Sequence, residues 1–175
     1  MRFMVTPEMR RNVLLRRIIL WSIVFAIVFW STNWLFYLHI GTSYTAIVRY
    51  YRGDPAAFHH PKSFRSLLEE THFHAFAMLI FLMTFTHLVM FTETTIQWKH
   101  TLVHATFGAA FADMTSGWLI RYVHPAFAWL KIGAFLTLQG ATLIILILIL
   151  RHLRNAHGGI QGLMPEPGKP RSSPQ

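Results

Sequence analysis

Histidine is costly in hydrocarbon and is normally kept there for a purpose. His72, His74 and His87 all stand in one apolar stretch, THFHAFAMLIFLMTFTHLVMFT, residues 71–92. The next apolar stretch opens with His100 and His104. The chemistry that fits such residues best is metal ligation, above all of haem iron. His87 precedes Glu93, where a short hairpin begins, by nearly as many residues as His104 follows Lys99, where it ends. At about 1.5 Å per residue the two imidazoles reach nearly equal depth on adjacent antiparallel helices. That is the placement needed for two axial ligands of one b-type haem.

A second, outer level is also marked. His72 and His87 are about 60° apart around a helix and roughly 22 Å apart along it, so they share a face. His74 is about 140° from His87 and points elsewhere. A second haem would use His72 or His74 with His124 or His39. However, His104 and His124 are about 160° apart, which counts against a clean two-haem bundle.

A different metal site is written at the outer rim. Glu69 and His72 form a carboxylate–histidine pair at i,i+3, and Glu70 and His74 one at i,i+4. The first spacing is the unit of di-iron carboxylate bundles, but the chain has only seven acidic residues, too few for a full di-iron site. A single zinc, copper or iron held by Glu69, His72 and His74 is the smaller alternative. Asp113 and Asn33 are the other intramembrane polar residues that need a reason. Asp113 fits a proton path, a quinone contact or an orienting partner for an imidazole; it fits equally a polar clamp between helices. Each histidine likewise has a plain reading as an interfacial or interhelical hydrogen-bonding group.

The elements that must position these residues follow from composition. The chain has 175 residues, of which 53% are hydrophobic and 13% charged, against about 25% charged in soluble domains. The apolar residues sit in four blocks, each near the roughly 20 residues of a spanning helix. The expectation is an all-α, four-helix membrane bundle with spans at about 14–38, 71–93, 100–123 and 126–150. A basic segment, residues 1–13, precedes it, and a Gly/Pro/Ser-rich tail, residues 158–175, is expected to be disordered. Residues 42–53, TSYTAIVRYYRG, read as a short amphipathic helix on the outer surface. Gly53-Asp54-Pro55 reads as a turn, and Ser63 as the N-cap of a helix running straight into the second span. Within the third span GAAFA, residues 108–112, offers small residues for close helix approach. Lys131 is expected to snorkel outward from the fourth span.

The net charge of +9 reflects basic flanks rather than nucleic-acid binding. Arg2, Arg10, Arg11, Arg16 and Arg17 precede the first span, and Arg151, Arg154, Lys169 and Arg171 follow the last. With Lys99 in the inner hairpin, this bias places both termini in the cytoplasm. The absence of cysteine excludes disulfides, iron–sulfur clusters and covalent c-type haem.

GTSYTAIVRYYRGDP followed by PKSFRSLLEETHFHAF resembles a group of small four-helix inner-membrane proteins of bacteria. The resemblance covers about residues 41–92 and implies membrane location and four helices; it carries no activity. In general plan the histidine-bearing helices also resemble b-type cytochrome subunits, although the Arg-x-x-His-Trp signature of one such group is lacking. Three functions stay open. The first is a haem-b electron-transfer subunit linking the quinone pool to a redox partner. The second is a non-catalytic assembly protein, and the third is metal or proton-coupled transport through an oligomer.

Overall fold

The computed structural model describes residues 13–161, with side chains as far as Arg154. The basic segment before Val13 and the tail beyond Gln161 lie outside the described residues. The described chain is all-α, with five helices and no strand: α1 (Val13–Ile40), α2 (Tyr44–Arg52), α3 (Phe64–Met90), α4 (Ile96–Tyr122) and α5 (Ala128–Gln161). Single 3₁₀ turns at Pro55–Ala57 and Pro125–Phe127 lead towards α3 and into α5.

Many residues of α1 are β-branched or aromatic, which are weak helix formers in water. In hydrocarbon every backbone N–H and C=O must be satisfied within the segment, so helix is the only outcome for an isolated span. Its outward residues, such as Trp21, Phe25, Val28, Leu35 and Phe36, are accordingly exposed and apolar. Among the described residues three stretches are long and apolar enough to cross a membrane: Val13–Ile40, Phe64–Met90 and Pro125–Arg154. The helix α4 is as long as α3, 27 residues, but less apolar. On one face its polar and small residues are sheltered by protein. Thr106, Ser116 and Gly117 are buried, as are Ala109 and Ala110 of the GAAFA segment.

Contacts between side chains fix the directions. Lys99 of α4 donates to the carbonyls of Met90 and Thr92, both at 2.8 Å, at the end of α3. At the other end the Trp118 indole donates to Thr71 Oγ1 at 2.8 Å. So α3 and α4 are antiparallel. The lysine also explains why α4 begins at Ile96 rather than near His100: by capping the terminal carbonyls of α3 it tightens the hairpin to residues 91–95. At its far end, α5 runs on to Gln161, past the expected end near residue 150, carrying residues 158–161 of the expected tail as helix.

The core has three layers. Ile23, Phe85, Val89, Leu102 and Ile145 pack at the hairpin end. Met78, Leu82, Ala109, Ala110 and Leu138 form the middle. Tyr37, Ile47, Tyr51, Leu67, Ile120 and Phe135 close the opposite end, under α2. The helix α2 is capped by Ser43 and stopped by Gly53, whose φ of 82° and tight approach to His59 and Pro61 leave no room for a Cβ. Ser63 caps α3 as expected, accepting from the Ser66 amide at 3.1 Å.

Candidate functional site: a cleft between α1 and α3

The first long helix rests mainly on α5 and scarcely touches α3. A ring contact between Phe29 and Phe81, 4.9 Å between centroids, ties α1 to α3 near mid-depth. Above it, towards α2, the two helices part around a cavity of about 80 Å³. Its α1 wall carries Asn33, Phe36, Tyr37 and Ile40, and its α3 wall Glu70, Thr71, His74 and Met78. The back is Asp113 and Gly117 of α4 with Lys131 and Gln139 of α5, and Tyr51 of α2 forms the roof. Exposed Phe36 and His74 flank the mouth.

An ion pair forms the back wall. Lys131 Nζ donates to Asp113 Oδ2 at 2.8 Å and to the Asp113 carbonyl at 3.0 Å. Each side chain is only 16% exposed. Lys131 therefore does not snorkel outward; a buried carboxylate within reach of its long stem turns it inward. Asn33 lines the same cavity, but the partner of Asp113 is Lys131. Two polar atoms of lining residues are buried without a hydrogen-bond partner among the described residues, Asp113 Oδ1 and the Tyr37 hydroxyl. Orphans of this kind are rare, because each forfeits its solvation.

The roof depends on one glycine. The Tyr51 ring is 3% exposed, and a Cβ on Gly117 would lie 2.9 Å from its Cε1. The same ring places an edge of α2 inside the bundle, so α2 is more than a surface helix. Tyr37 stacks on Phe135, centroids 3.9 Å apart, beside it.

His74 is oriented for use. Its Nδ1 lies 2.8 Å from the Glu70 carbonyl, an atom that only accepts. Nδ1 must carry a proton, so in the neutral ring Nε2 keeps a free lone pair on a cavity-lining residue. Next to it Glu70 pairs with Lys62, whose ammonium also sits over the Tyr50 ring at 4.3 Å. Arg121 holds the Lys62 carbonyl at 3.0 Å, fastening the loop to α4.

Two groups of the roof and loop have shifted acidities. Burial pushes the Tyr51 hydroxyl above its ordinary 10.0, with Lys131 opposing and Glu70 adding. Burial works to lower the Lys62 ammonium, but hydrogen bonds to Glu70 and Tyr50 outweigh it, and the net value lies above 10.5. Both folded values exceed the unfolded ones. Their stabilisation is therefore complete below about pH 10 and lost as pH rises through the raised values. Thermal melts in detergent are expected to be flat in this respect to about pH 9 and to fall steeply above it. Tyr51→Phe and Lys62→Met should each flatten the fall; identical alkaline curves for all three proteins would contradict the assignment.

The histidines singled out by spacing are distributed differently. His87 and His104 are exposed. On α3 the buried face carries Leu82, Phe85 and Val89, and His87 lies on the far side; on α4 the buried face carries Leu102, Thr106 and Ala109, roughly 180° from His104. The structure does not bring the two imidazoles together. At the rim, Glu69 binds Arg65 at 2.8 Å, exposed His72 packs edge-on to Phe73, and only His74 reaches the cleft. His124 caps the 3₁₀ turn, its Nδ1 accepting from the Ala126 amide at 3.1 Å. Among the described residues no group of three or more His, Asp or Glu side chains gathers as a metal site. Lys131, Tyr37 and Tyr51 were not legible as site residues. The one available signal was Lys131 near the start of a span, facing the lone mid-span carboxylate of its neighbour.

Fold and cleft define a helical integral membrane protein with a polar site set among its long helices. Residues 41–158 match the model of a family described as a transmembrane helical domain; the match covers more than half of the chain, which belongs to that family. No curated protein and no solved structure matches. The family portion includes α2, α3, α4 and most of α5, hence the roof, the back and one wall of the cleft.

Proposed function

We propose that the protein binds the ring of a quinone or quinol in the cleft between α1 and α3. The observation that carries this reading is the Asp113–Lys131 pair, with the orphaned Asp113 Oδ1 and Tyr37 hydroxyl, at the back of a cavity bordered by lipid-facing residues. A quinone arrives from the membrane, so an opening between two spanning helices suits it. Its carbonyl oxygens need donors; the Tyr37 hydroxyl is one, and Lys131 has a third N–H beyond the two it uses. A quinol needs an acceptor, and Asp113 Oδ1 and His74 Nε2 supply two. The enclosed volume takes one edge of the ring, and the remainder and the tail lie in the opening. Glu70 and Lys62 lead from His74 to the loop surface and offer a route for a proton.

In this reading α4 is the fourth crossing. Arg16, Arg17, Lys99, Arg151 and Arg154 at the hairpin end support an orientation with both termini on the cytoplasmic side of a bacterial inner membrane. Haem-linked electron transfer is the further step suggested by the histidines. It needs His87 and His104 turned to one space, and within one chain they face outward, so quinone binding rests on the cleft alone.

The test is a titration of a short-tailed quinone into the purified protein, read by quenching of tryptophan fluorescence. Saturable binding is expected, weakened about tenfold or more by Lys131→Met, the loss of a charged hydrogen-bond partner. Wild-type and Asp113→Leu/Lys131→Met proteins that quench identically would instead make the pair a structural clamp.

A further inference from the structure

The outward face of α4 carries a pattern that the cleft does not use. Gln97, Thr101, His104, Gly108, Phe111 and Thr115 follow one another at alternating steps of four and three, the heptad spacing of a helix seam. All but Thr115 are exposed, and a Cβ on Gly108 would meet nothing within 4 Å. His104 lies roughly 12 Å into the helix, at a depth where a lone imidazole facing lipid is costly. Among the described residues the His104 ring and the Gln97 amide have no hydrogen-bond partner, while Thr101 and Thr115 bond only to carbonyls of their own helix.

We infer that this stripe is the interface of a parallel homodimer, and that its occupant is the same stripe of a second copy. Copies of one membrane protein insert with one orientation, so a two-fold axis along the membrane normal sets each residue against itself. Such an interface must be self-complementary, and this one is. Glutamine, threonine and neutral histidine each donate and accept, so each can pair with its own image. The stripe bears no charged residue that would repel its copy. Gly108, at its centre, lets the two backbones approach closely. The opposite face of α4 is filled by its own chain, so the dimer requires no rearrangement of the bundle.

The chain has no cysteine, which makes single-cysteine cross-linking clean. Thr101→Cys and Thr115→Cys, oxidised in native membranes, are expected to form homodimers, and Ile80→Cys on the lipid face of α3 is not. Gly108→Leu in the Thr101→Cys background should cut the dimer by about tenfold or more. It should leave the fold intact, since Gly108 touches nothing, and an unchanged thermal melt checks that. Equal cross-linking at Ile80→Cys, insensitivity to Gly108→Leu, or capture of a different protein at Thr101→Cys would each overturn the inference.

Discussion

Lys131→Met is expected to destabilise the protein by about 3–5 kcal/mol, the usual loss when one member of a buried ion pair is removed. The reason is the carboxylate left behind. Among the described residues Asp113 Oδ2 would lose its only ionic partner, and Oδ1 already has no hydrogen-bond partner. Asp113→Asn should cost a similar amount, because it leaves an ammonium that is 16% exposed amid Tyr37, Phe135 and Leu138. Removing both charges is a different experiment. Asp113→Leu/Lys131→Met should lie within ~1 kcal/mol of wild type, since well-packed apolar replacements of buried pairs are often neutral or better. The double variant thus keeps the fold while stripping the cleft of its polar back wall. Unfolding in detergent, followed by near-ultraviolet circular dichroism, gives all four stabilities. Additive losses in the double variant would mean that the two charges do not depend on each other.

The second large effect belongs to the roof. Gly117→Leu should push Tyr51 out of the bundle and undock α2, at a cost of about 3 kcal/mol from overpacking. Tyr51→Ala alone is expected to cost about 3–5 kcal/mol, the range for emptying a buried aromatic position. The two losses have one cause, because the glycine exists to admit the ring. In the Tyr51→Ala background Gly117→Leu should therefore cost far less than in the wild type. Limited proteolysis offers a local check: cleavage between Gly53 and Pro61 should accelerate in both single variants. An unchanged cleavage rate in Gly117→Leu would show that α2 is held by something other than the Tyr51–Gly117 contact.

Much of the frame was legible from residue types. Apolar blocks of spanning length gave the long helices, Ser63 gave the start of α3, and the amphipathic pattern of residues 42–53 gave α2. What periodicity conveys less well is sidedness in a bundle whose outside is also apolar. In water the polar face of a helix identifies solvent; in lipid that contrast disappears, and the small residues mark the buried face instead. Ala109, Ala110 and Gly117 mark it on α4, and His104 falls opposite them. Equal depth of His87 and His104 was therefore only half of the geometry. The pairing of Asp113 with Lys131 escaped for a related reason. A lysine near a helix end satisfies snorkelling as well as burial, and only the packing of α4 against α5 decides between them.

Photoaffinity labelling with an azidoquinone, on the full chain in native membranes, locates the ligand most directly. Label is expected on peptides that contain Phe36 and Ile40 of α1 and His74 and Met78 of α3, and it should be competed by unmodified quinone. The same peptides should stay unlabelled in Asp113→Leu/Lys131→Met. Label spread evenly over the lipid-facing residues of α1, α3 and α5, equally in both proteins, would contradict a quinone site in the cleft.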